Sequence, residues 1–506
     1  MAAAPRRSGE TLIDPSATGT PLRHADEPGG VLHERGSNPS TRIPRDSRRD
    51  GDRGWQPPSD GSRRGHGRPT AEHWPDTAGW GPLGRKTSSH GSPLTPRDAS
   101  NLVIVGSRDL SEATTPDRFH MEPVAWFSLD KGASWSPGEF AGTADLPRGP
   151  AFFADANATF APDGTAFCVF MGRPRGNRSD LWVFRSGDGG RRWLGPTIVP
   201  GFLDYPRLAA DLDGGKPRLF VVANGPGNGS WFGNSKRSGY GCVVLRSDDG
   251  GRTFSAVNLL APTALLHTPI ESPSILPNGS LLIGFVDFPD MPAEKRPQAQ
   301  ITHGRYYTAS SRDGGATFSL PAPIRDTRLH EGYGDGFVAI TVDRTDGPRK
   351  GRLYALTDNR SDDPPGLQLQ TSQDAVNWTP PGAVPGLRAG PTPYAAIALS
   401  SQGVLGLSWI QGNSGDLVRF HEKAWTSKEH AWDLYFTAST DGGTTFSAPL
   451  RVLPTPSRTD VQFPNWPYRT DYLSLAASAD GAFHLLWIDT RDSKGEIHAT
   501  RIEVVP

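Results

Sequence analysis

The chain has 506 residues, room for two to four average domains or one large repeat array. Its 59 Gly and 48 Pro favour turn-rich β structure over helices. A net charge of −1 and the lack of any run of about 18 apolar residues argue against a nucleic-acid partner and against membrane insertion.

The chain opens with MAAAPRRSGETLID, which is basic but has no apolar stretch of the kind a secretory signal needs. Residues 1–90 are rich in Arg, Gly, Pro, Ser and Asp and show almost no apolar periodicity. Such a segment buries too little surface to offset its ordering entropy, so disorder is expected there. From residue 91 the texture changes to short apolar runs between turn signals, with no stretch of helical period.

In this second region one string recurs. It reads SLDKGASWS at Ser128, SGDGGRRWL at Ser186, SDDGGRTFS at Ser247, SRDGGATFS at Ser311 and STDGGTTFS at Ser439, with a shortened echo, SQDAVNW, at Ser372. Its aspartates, Asp130, Asp188, Asp249, Asp313, Asp374 and Asp441, stand about 60 residues apart, the mark of a repeat architecture. In the third period DYPRLAAD, RLFVVANG, YGCVVLRS and a short run after the string give four strands, the pattern of a propeller blade. After the last string, DYLSLAASADG, AFHLLWIDT and EIHATRIEV supply three more strands, and one from near Trp80 would complete them. The expectation is therefore an all-β chain. Residues 91–506 form a single β-propeller of four-stranded antiparallel blades, seven favoured and six left open. The two cysteines, Cys168 and Cys242, lie in apolar runs and read as buried free thiols.

The string has the logic of a hairpin turn. Its Asp accepts hydrogen bonds from its own turn, its Gly pair permits positive φ, and its closing Trp or Phe buries apolar surface. It reads as frame and not as chemistry. In the shortened copy the missing Gly requires a different turn.

Tight turns join first to second strands: PDG at Pro162, PNG at Pro277, SQG at Ser401 and ADG at Ala479. Long connections follow the second strands: Ser107 to Glu122, Gly225 to Gly239, Phe288 to Gly304 and Gln411 to Ala431. In an up-and-down blade the two kinds emerge at opposite ends, and long loops on a rigid scaffold are where binding usually sits. The start of each first strand points to the same end. It supplies Asp155 (FADANATF), Asp204, Tyr205 and Arg207 (DYPRLAAD), Glu271 (IESPSIL), Asp335 (GDGFVAI), Tyr394 (TPYAAIAL), and Asp471 with Tyr472 (RTDYLSLAA). These groups suit a polar ligand, and the same positions also suit backbone ties between blades. Trp231, Phe232, Trp425 and Trp432 offer flat faces for sugar stacking or for loop packing.

The repeated S-x-D-x-G-x-T-[FW] string resembles the Asp-box, or BNR, repeat of sialidase-like β-propellers, and the resemblance covers residue 91 to the end. It implies a glycan or glycoconjugate partner, glycoside hydrolase activity at the channel mouth, a monomer, and an extracellular setting. Sialidases use a tyrosine nucleophile, and in such enzymes a Glu accepts its proton, an Asp is the acid/base and three arginines grip the substrate carboxylate. The segment IESPSILPNGSLLIGF resembles the strand pair that carries the Glu, which makes Glu271 the match. PYAAIALSSQGVLGLSW and DYLSLAASADGAFHLLW both resemble the tyrosine-bearing pair, so Tyr394 and Tyr472 compete. Asp155 and Asp335 join these as catalytic candidates, a different glycoside hydrolase could pair Glu271 with Asp335, Asp204 or Asp155 as its two carboxylates, and Arg207, Asp204, Tyr205, Asp471 and Trp231 stand for substrate binding. The chain departs from the family's arginine pattern. Its only Arg-Ile-Pro, at Arg42, precedes the repeat region, and VDF around Asp287 stands where an arginine follows the Glu-bearing pair. Arg173, Arg360, Arg469 and Arg491 do not align with the pattern. A non-catalytic glycan- or protein-binding propeller remains the alternative.

No cofactor or metal is expected. HEKAW at His421 ends in Trp425 where a zinc helix needs His, DLDGG at Asp211 lacks a calcium loop's length and final Glu, and GPGNGS at Gly225 precedes no helix.

Overall fold

A computed structural model of the chain describes residues 4–13, 87–89, 98–109, 121–141, 152–173, 179–201, 203–226, 240–260, 270–287, 301–330, 338–359, 366–387, 394–412, 431–458, 473–489 and 496–505. The described residues hold strands and turns and no helix. The N-terminal strand is β1 (Ala4–Ile13). The first repeat region holds β2 (Thr87–Ser89), β3 (Leu102–Asp109), β4 (Met121–Ser128) and β5 (Ser136–Ala141). The second holds β6 (Phe152–Phe160), β7 (Ala166–Arg173), β8 (Asp180–Ser186) and β9 (Arg192–Val199). Then come β10 (Asp204–Asp213), β11 (Lys216–Pro226), β12 (Tyr240–Ser247) and β13 (Ser255–Leu260). They are followed by β14 (Ile270–Ile275), β15 (Leu281–Asp287), β16 (Ile301–Ser311) and β17 (Ala322–His330). The next group is β18 (Val338–Val342), β19 (Leu353–Asn359), β20 (Gly366–Ser372) and β21 (Gly382–Ala383). The last elements are β22 (Ala395–Leu399), β23 (Leu405–Gly412), β24 (Ala431–Ser439), β25 (Leu450–Arg451), β26 (Ser457–Arg458), β27 (Leu473–Ala477), β28 (Phe483–Asp489) and β29 (Glu496–Val505).

The strands form a propeller-like arrangement of small antiparallel sheets. Four have four strands, in the orders β10-β11-β12-β13, β14-β15-β16-β17, β18-β19-β20-β21 and β1-β29-β28-β27, and a fifth holds β22 to β26. The expected seven separate blades are not what hydrogen bonding gives. β2–β5 and β6–β9 merge into one eight-stranded sheet, because the outer strands β5 and β9 pair in parallel over Glu139–Arg192, Phe140–Trp193 and Ala141–Leu194. A second correction concerns closure. β1 pairs along β29 and completes the last sheet, whereas Thr87–Ser89, near Trp80, pairs with β3. Within the segment read as disordered, residues 4–13 and 87–89 are thus strands, and the rest of it lies outside the described residues. An open sheet edge recruits backbone, and that pairing needs no apolar pattern.

Apolar clusters lie between successive groups of strands. Phe167 and Val169 pack against Leu208 and Leu219, and Cys168 and Phe170, their neighbours on β7, pack against Val103 and Val105. The pattern continues through Phe220 with Ile283, Leu282 with Leu353, Leu356 with Leu407, and Phe436 with Phe483. Leu486 and Ile497 then meet Leu102, Ile104 and Trp126, which closes the ring. A strand with both faces buried must be largely apolar, and FHLLWID on β28, buried along its whole length, is apolar except at His484 and Asp489. Each large side chain buried this way contributes about 1.5–3 kcal/mol. Cys168 and Cys242 are buried free thiols, as expected.

The recurring turns link third to fourth strands and share one construction. The Oγ of Ser128, Ser186, Ser247, Ser311, Ser372 and Ser439 donates to the Asp two residues on at 2.7–3.0 Å. The same Oγ accepts a backbone N–H from Gly132, Gly190, Gly251, Gly315, Ala375 and Gly443. In the shortened copy Ala375 takes the left-handed conformation (φ 61) that Gly supplies elsewhere, so the turn closes one residue earlier at a cost in strain. Each turn also leans on the preceding group. Asn101 Nδ2 donates to Gly189 O at 2.9 Å, Arg246 Nη1 to Gly314 O at 3.0 Å, and Arg349 Nη2 to Thr440 O at 3.0 Å. At the ring closure Lys131 Nζ meets Asp480 at 3.0 Å, and Asp480 also takes Arg501 at 2.9 Å. His484 lies buried beneath this pair, 3.3 Å from Ser478 Oγ.

Replacing Ser247 by Ala removes two hydrogen bonds and leaves the Gly251 N–H without its acceptor. A loss of about 1–3 kcal/mol in chemical unfolding is expected. Acid provides a second measurement. Burial, and then the nearby Arg501 charge, push His484 down to about 4, against the opposing pull of Asp480. Its folded-state pKa lies below its ordinary 6.5, so the unfolded chain takes up a proton first as the pH falls. Stability from this residue should therefore decline between pH 6.5 and 4, by at most about 3 kcal/mol, and His484→Gln should flatten that stretch of the melting curve. Below it the turns take over. The Thr317 hydroxyl, the Thr317 N–H and the Ser311 hydroxyl hold Asp313 at about 2, so its contribution is present above its ordinary 3.8 and is lost toward pH 2.

Candidate functional site

The first strands of three successive groups share an irregularity. On β6 the pairing steps from Ala154–Met171 to Asn157–Val169. On β10 it steps from Asp204–Asn224 to Arg207–Val222, and on β14 from Glu271–Gly284 to Ser274–Leu282. Each is a bulge in which two residues face one. Ala154, Asp204 and Glu271 therefore occupy equivalent places, as do Asp155, Tyr205 and Ser272. Pro206 and Pro273 fall inside the second and third bulges, where a residue without an N–H does no harm to the ladder.

These bulges lie at the ends of the sheets away from the Ser–Asp turns. Ser247 stands opposite Leu219, and Asp204 stands opposite Asn224, about 17 Å farther along the ladder at strand rise. The connections that follow β3, β11, β15 and β23 leave from this same end. Their tips, 110–120, 227–239, 288–300 and 413–430, lie outside the described residues.

Two bulge residues carry strain. Asp155 has φ 52 and Tyr205 φ 53. Asp tolerates the left-handed region, but for a bulky Tyr it is an outlier held only by its surroundings, at about 1–3 kcal/mol. Part of that hold comes from Arg207. Its guanidinium carbon lies 3.7 Å from the Tyr205 ring centroid, and its Nη1 donates to Pro206 O at 3.0 Å. Arg207 is only 2% exposed, whereas Tyr205 and Asp204 are half-buried and Asp155 is buried. Arg207 thus braces its own strand. A second hold comes from the neighbouring group: Asn157 Oδ1 accepts the Leu208 N–H at 2.9 Å. At the equivalent place on β14, Ser274 Oγ donates to Ile340 O on β18 at 3.4 Å.

Among the sequence candidates, then, Asp155, Asp204, Tyr205 and Arg207 come together on adjacent strands, with the Glu271 backbone at the same level one strand on. The Glu271 side chain is outside the described residues. Tyr394 immediately precedes β22, is half-buried, packs against the cluster of Phe436 and Phe483, and accepts the Ile410 N–H at 2.9 Å through its carbonyl. Asp335, Asp471, Tyr472, Trp231, Phe232, Trp425 and the segment around His421 lie outside the described residues, as do Arg360, Arg469 and Arg491. Trp432 is corrected: it is 4% exposed on β24 and belongs to the core, because alternate residues of AWDLYF are buried on both faces. Asp211 lies on β10 just before the Gly214–Gly215 turn, paired with Arg218 at 3.3 Å, and among the described residues no group of His, Cys, Asp or Glu is placed to hold a metal ion. Asn157, in Asn157-Ala158-Thr159, has the form of a glycosylation acceptor, but its burial and its bond to Leu208 commit it to the fold instead.

No protein-family model matches this sequence, and no curated protein does. Its fold is similar to a crystal structure of a protein of unknown function from Dyadobacter fermentans, at 14% identity, covering 83% of this chain and 95% of that one, with a TM-score of 0.42. It is also similar to the α-L-arabinofuranosidase Arb93A from Fusarium graminearum, at 13% identity, 68% and 91% coverage and a TM-score of 0.42. A Hadza microbial sialidase, Hz136, aligns at 14% identity over 76% of this chain and 74% of its own, with a TM-score of 0.45.

Proposed function

We propose that this chain acts on glycans at the end of the ring away from its Ser–Asp turns, as a sialidase-like glycoside hydrolase. The observation that supports this reading is the alignment of three bulges, which gather Asp155, Asp204, Tyr205 and Glu271 at one level and hold two of them in left-handed backbone. Strain of this kind persists where the surroundings over-determine it, and it concentrates at working sites. In this reading Glu271 accepts the proton of a tyrosine nucleophile, Tyr394 or Tyr472, and Asp155 or Asp335 protonates the leaving oxygen. Asp204, Tyr205, Asp471 and Trp231 contact the sugar. Arg207 serves beneath Tyr205.

That last point also favours a second reading. An arginine 2% exposed and stacked on its own strand is poorly placed to grip a substrate carboxylate. A neutral glycan, bound without turnover, would ask nothing of it.

Fluorogenic sialosides and neutral glycosides, offered to the wild type and to Glu271→Gln and Asp155→Asn, separate the two. The hydrolase reading expects turnover that falls about 10²–10⁴-fold in each variant. Glycan binding without turnover, weakened by Tyr205→Ala, supports the second reading. Neither binding nor turnover on any glycan overturns both.

A further inference from the structure

The bulges on β6 and β10 are not independent. β10 is the innermost strand of its sheet, so β11 satisfies only one of its edges. Backbone N–H groups on the other edge need acceptors from elsewhere. The Leu208 N–H finds one in Asn157 Oδ1, a side chain of the preceding group, at 2.9 Å. Both partners are buried: Asn157 is 7% exposed and Leu208 4%. Asn157 is the first residue paired normally after the bulge on β6, two positions beyond Asp155, and Leu208 lies one position beyond Arg207 and three beyond Tyr205. One short hydrogen bond therefore fixes the end of the Asp155 bulge against the end of the Tyr205 bulge. The equivalent residue on β14, Ser274, also reaches across to the next group, there as a donor to the Ile340 carbonyl at 3.4 Å, so a tie between groups recurs at this place.

We infer that Asn157 is a positioning residue that sets the separation and facing of Asp155 and Tyr205, and through Leu208 holds the Tyr205–Arg207 stack. It touches no substrate in this arrangement. It acts by keeping two strained residues on different strands in one relation. The inference rests on the proposed function in so far as Asp155 and Tyr205 meet a glycan, but the coupling itself is a property of the backbone.

Two readouts on the intact chain test it. Asn157→Leu keeps the volume and removes the acceptor, Asn157→Asp keeps the acceptor, and Asn157→Ser is a milder loss should the Leu variant fail to fold. Hydrogen exchange of residues 203–212 is expected to quicken about tenfold or more in the Leu or Ser variant and to return to the wild-type rate in the Asp variant. Glycan affinity or turnover, whichever the wild type shows, is expected to fall about tenfold with the loss of the acceptor and to be restored by Asp. Unchanged exchange in the Leu and Ser variants overturns the inference. Faster exchange with unaltered handling of the glycan overturns the positioning role and leaves a purely structural bond. Should the wild type bind and turn over no glycan, the functional reading fails, and exchange alone decides the coupling.

Discussion

The whole arrangement depends on a hydrogen bond between a serine hydroxyl and an aspartate two residues later. It is made in six turns, at the same place between third and fourth strands. The bond curls the turn tightly enough to present a bare backbone to the group before it. Gly443 shows why the motif favours glycine: a Cβ there would lie 2.8 Å from Leu369 Cδ2, and its φ of 87 is one that other residues rarely adopt. The turn is thus a joint as well as a reversal. Asn101, Arg246 and Arg349 each reach from one group into the next group's turn, so that hydrogen bonds and apolar clusters follow the same circuit.

The two ends of the sheets divide the labour. At the turn end the carboxylates of the recurring turns accept between two and four hydrogen bonds from their own turn, from Asp188 with two to Asp249 with four, which commits them to the frame. At the other end the bulges break the ladder and put Asp155 and Tyr205 in left-handed backbone. Well-satisfied geometry at one end accompanies departures from it at the other.

What the sequence reveals follows the same division. The boxes, the tight turns after Pro162 and Pro277 and the buried thiols are local, and each is legible in a handful of residues. The merging of β5 with β9 is not, because it rests on three residue pairs between segments some fifty positions apart. Nor is the placing of Ala4–Ile13 on β29, since APRRSGETLI has neither alternation nor a turn signal to announce a strand. The candidate site was partly legible. The charges of DYPRLAAD are plain in the sequence, and they lie on β10, the strand that carries the second bulge. The left-handed Tyr205 was hidden, because a positive φ is expected of Gly, Asn or Asp. Asn157 was hidden too, because its partner Leu208 lies 51 residues away and offers only a backbone N–H.

An innermost strand has no neighbour on its axial side, and this explains why polar residues gather there at all. Its unpaired N–H and C=O groups must be met by side chains of the adjoining group, as Asn157 meets Leu208 and Ser274 meets Ile340. The first demand for Asn, Ser, Asp and Arg near the axis is therefore structural. A bulge takes one such residue out of the ladder's regular pairing, while its neighbour keeps the tie. On β6 the displaced residue is Asp155 and the tie is Asn157. On β10 the displaced residue is Tyr205, and Arg207 has become its brace. The polar residues at this end thus follow first from how a ring of sheets satisfies its inner edge, and the bulges decide which of them stand outside the regular ladder.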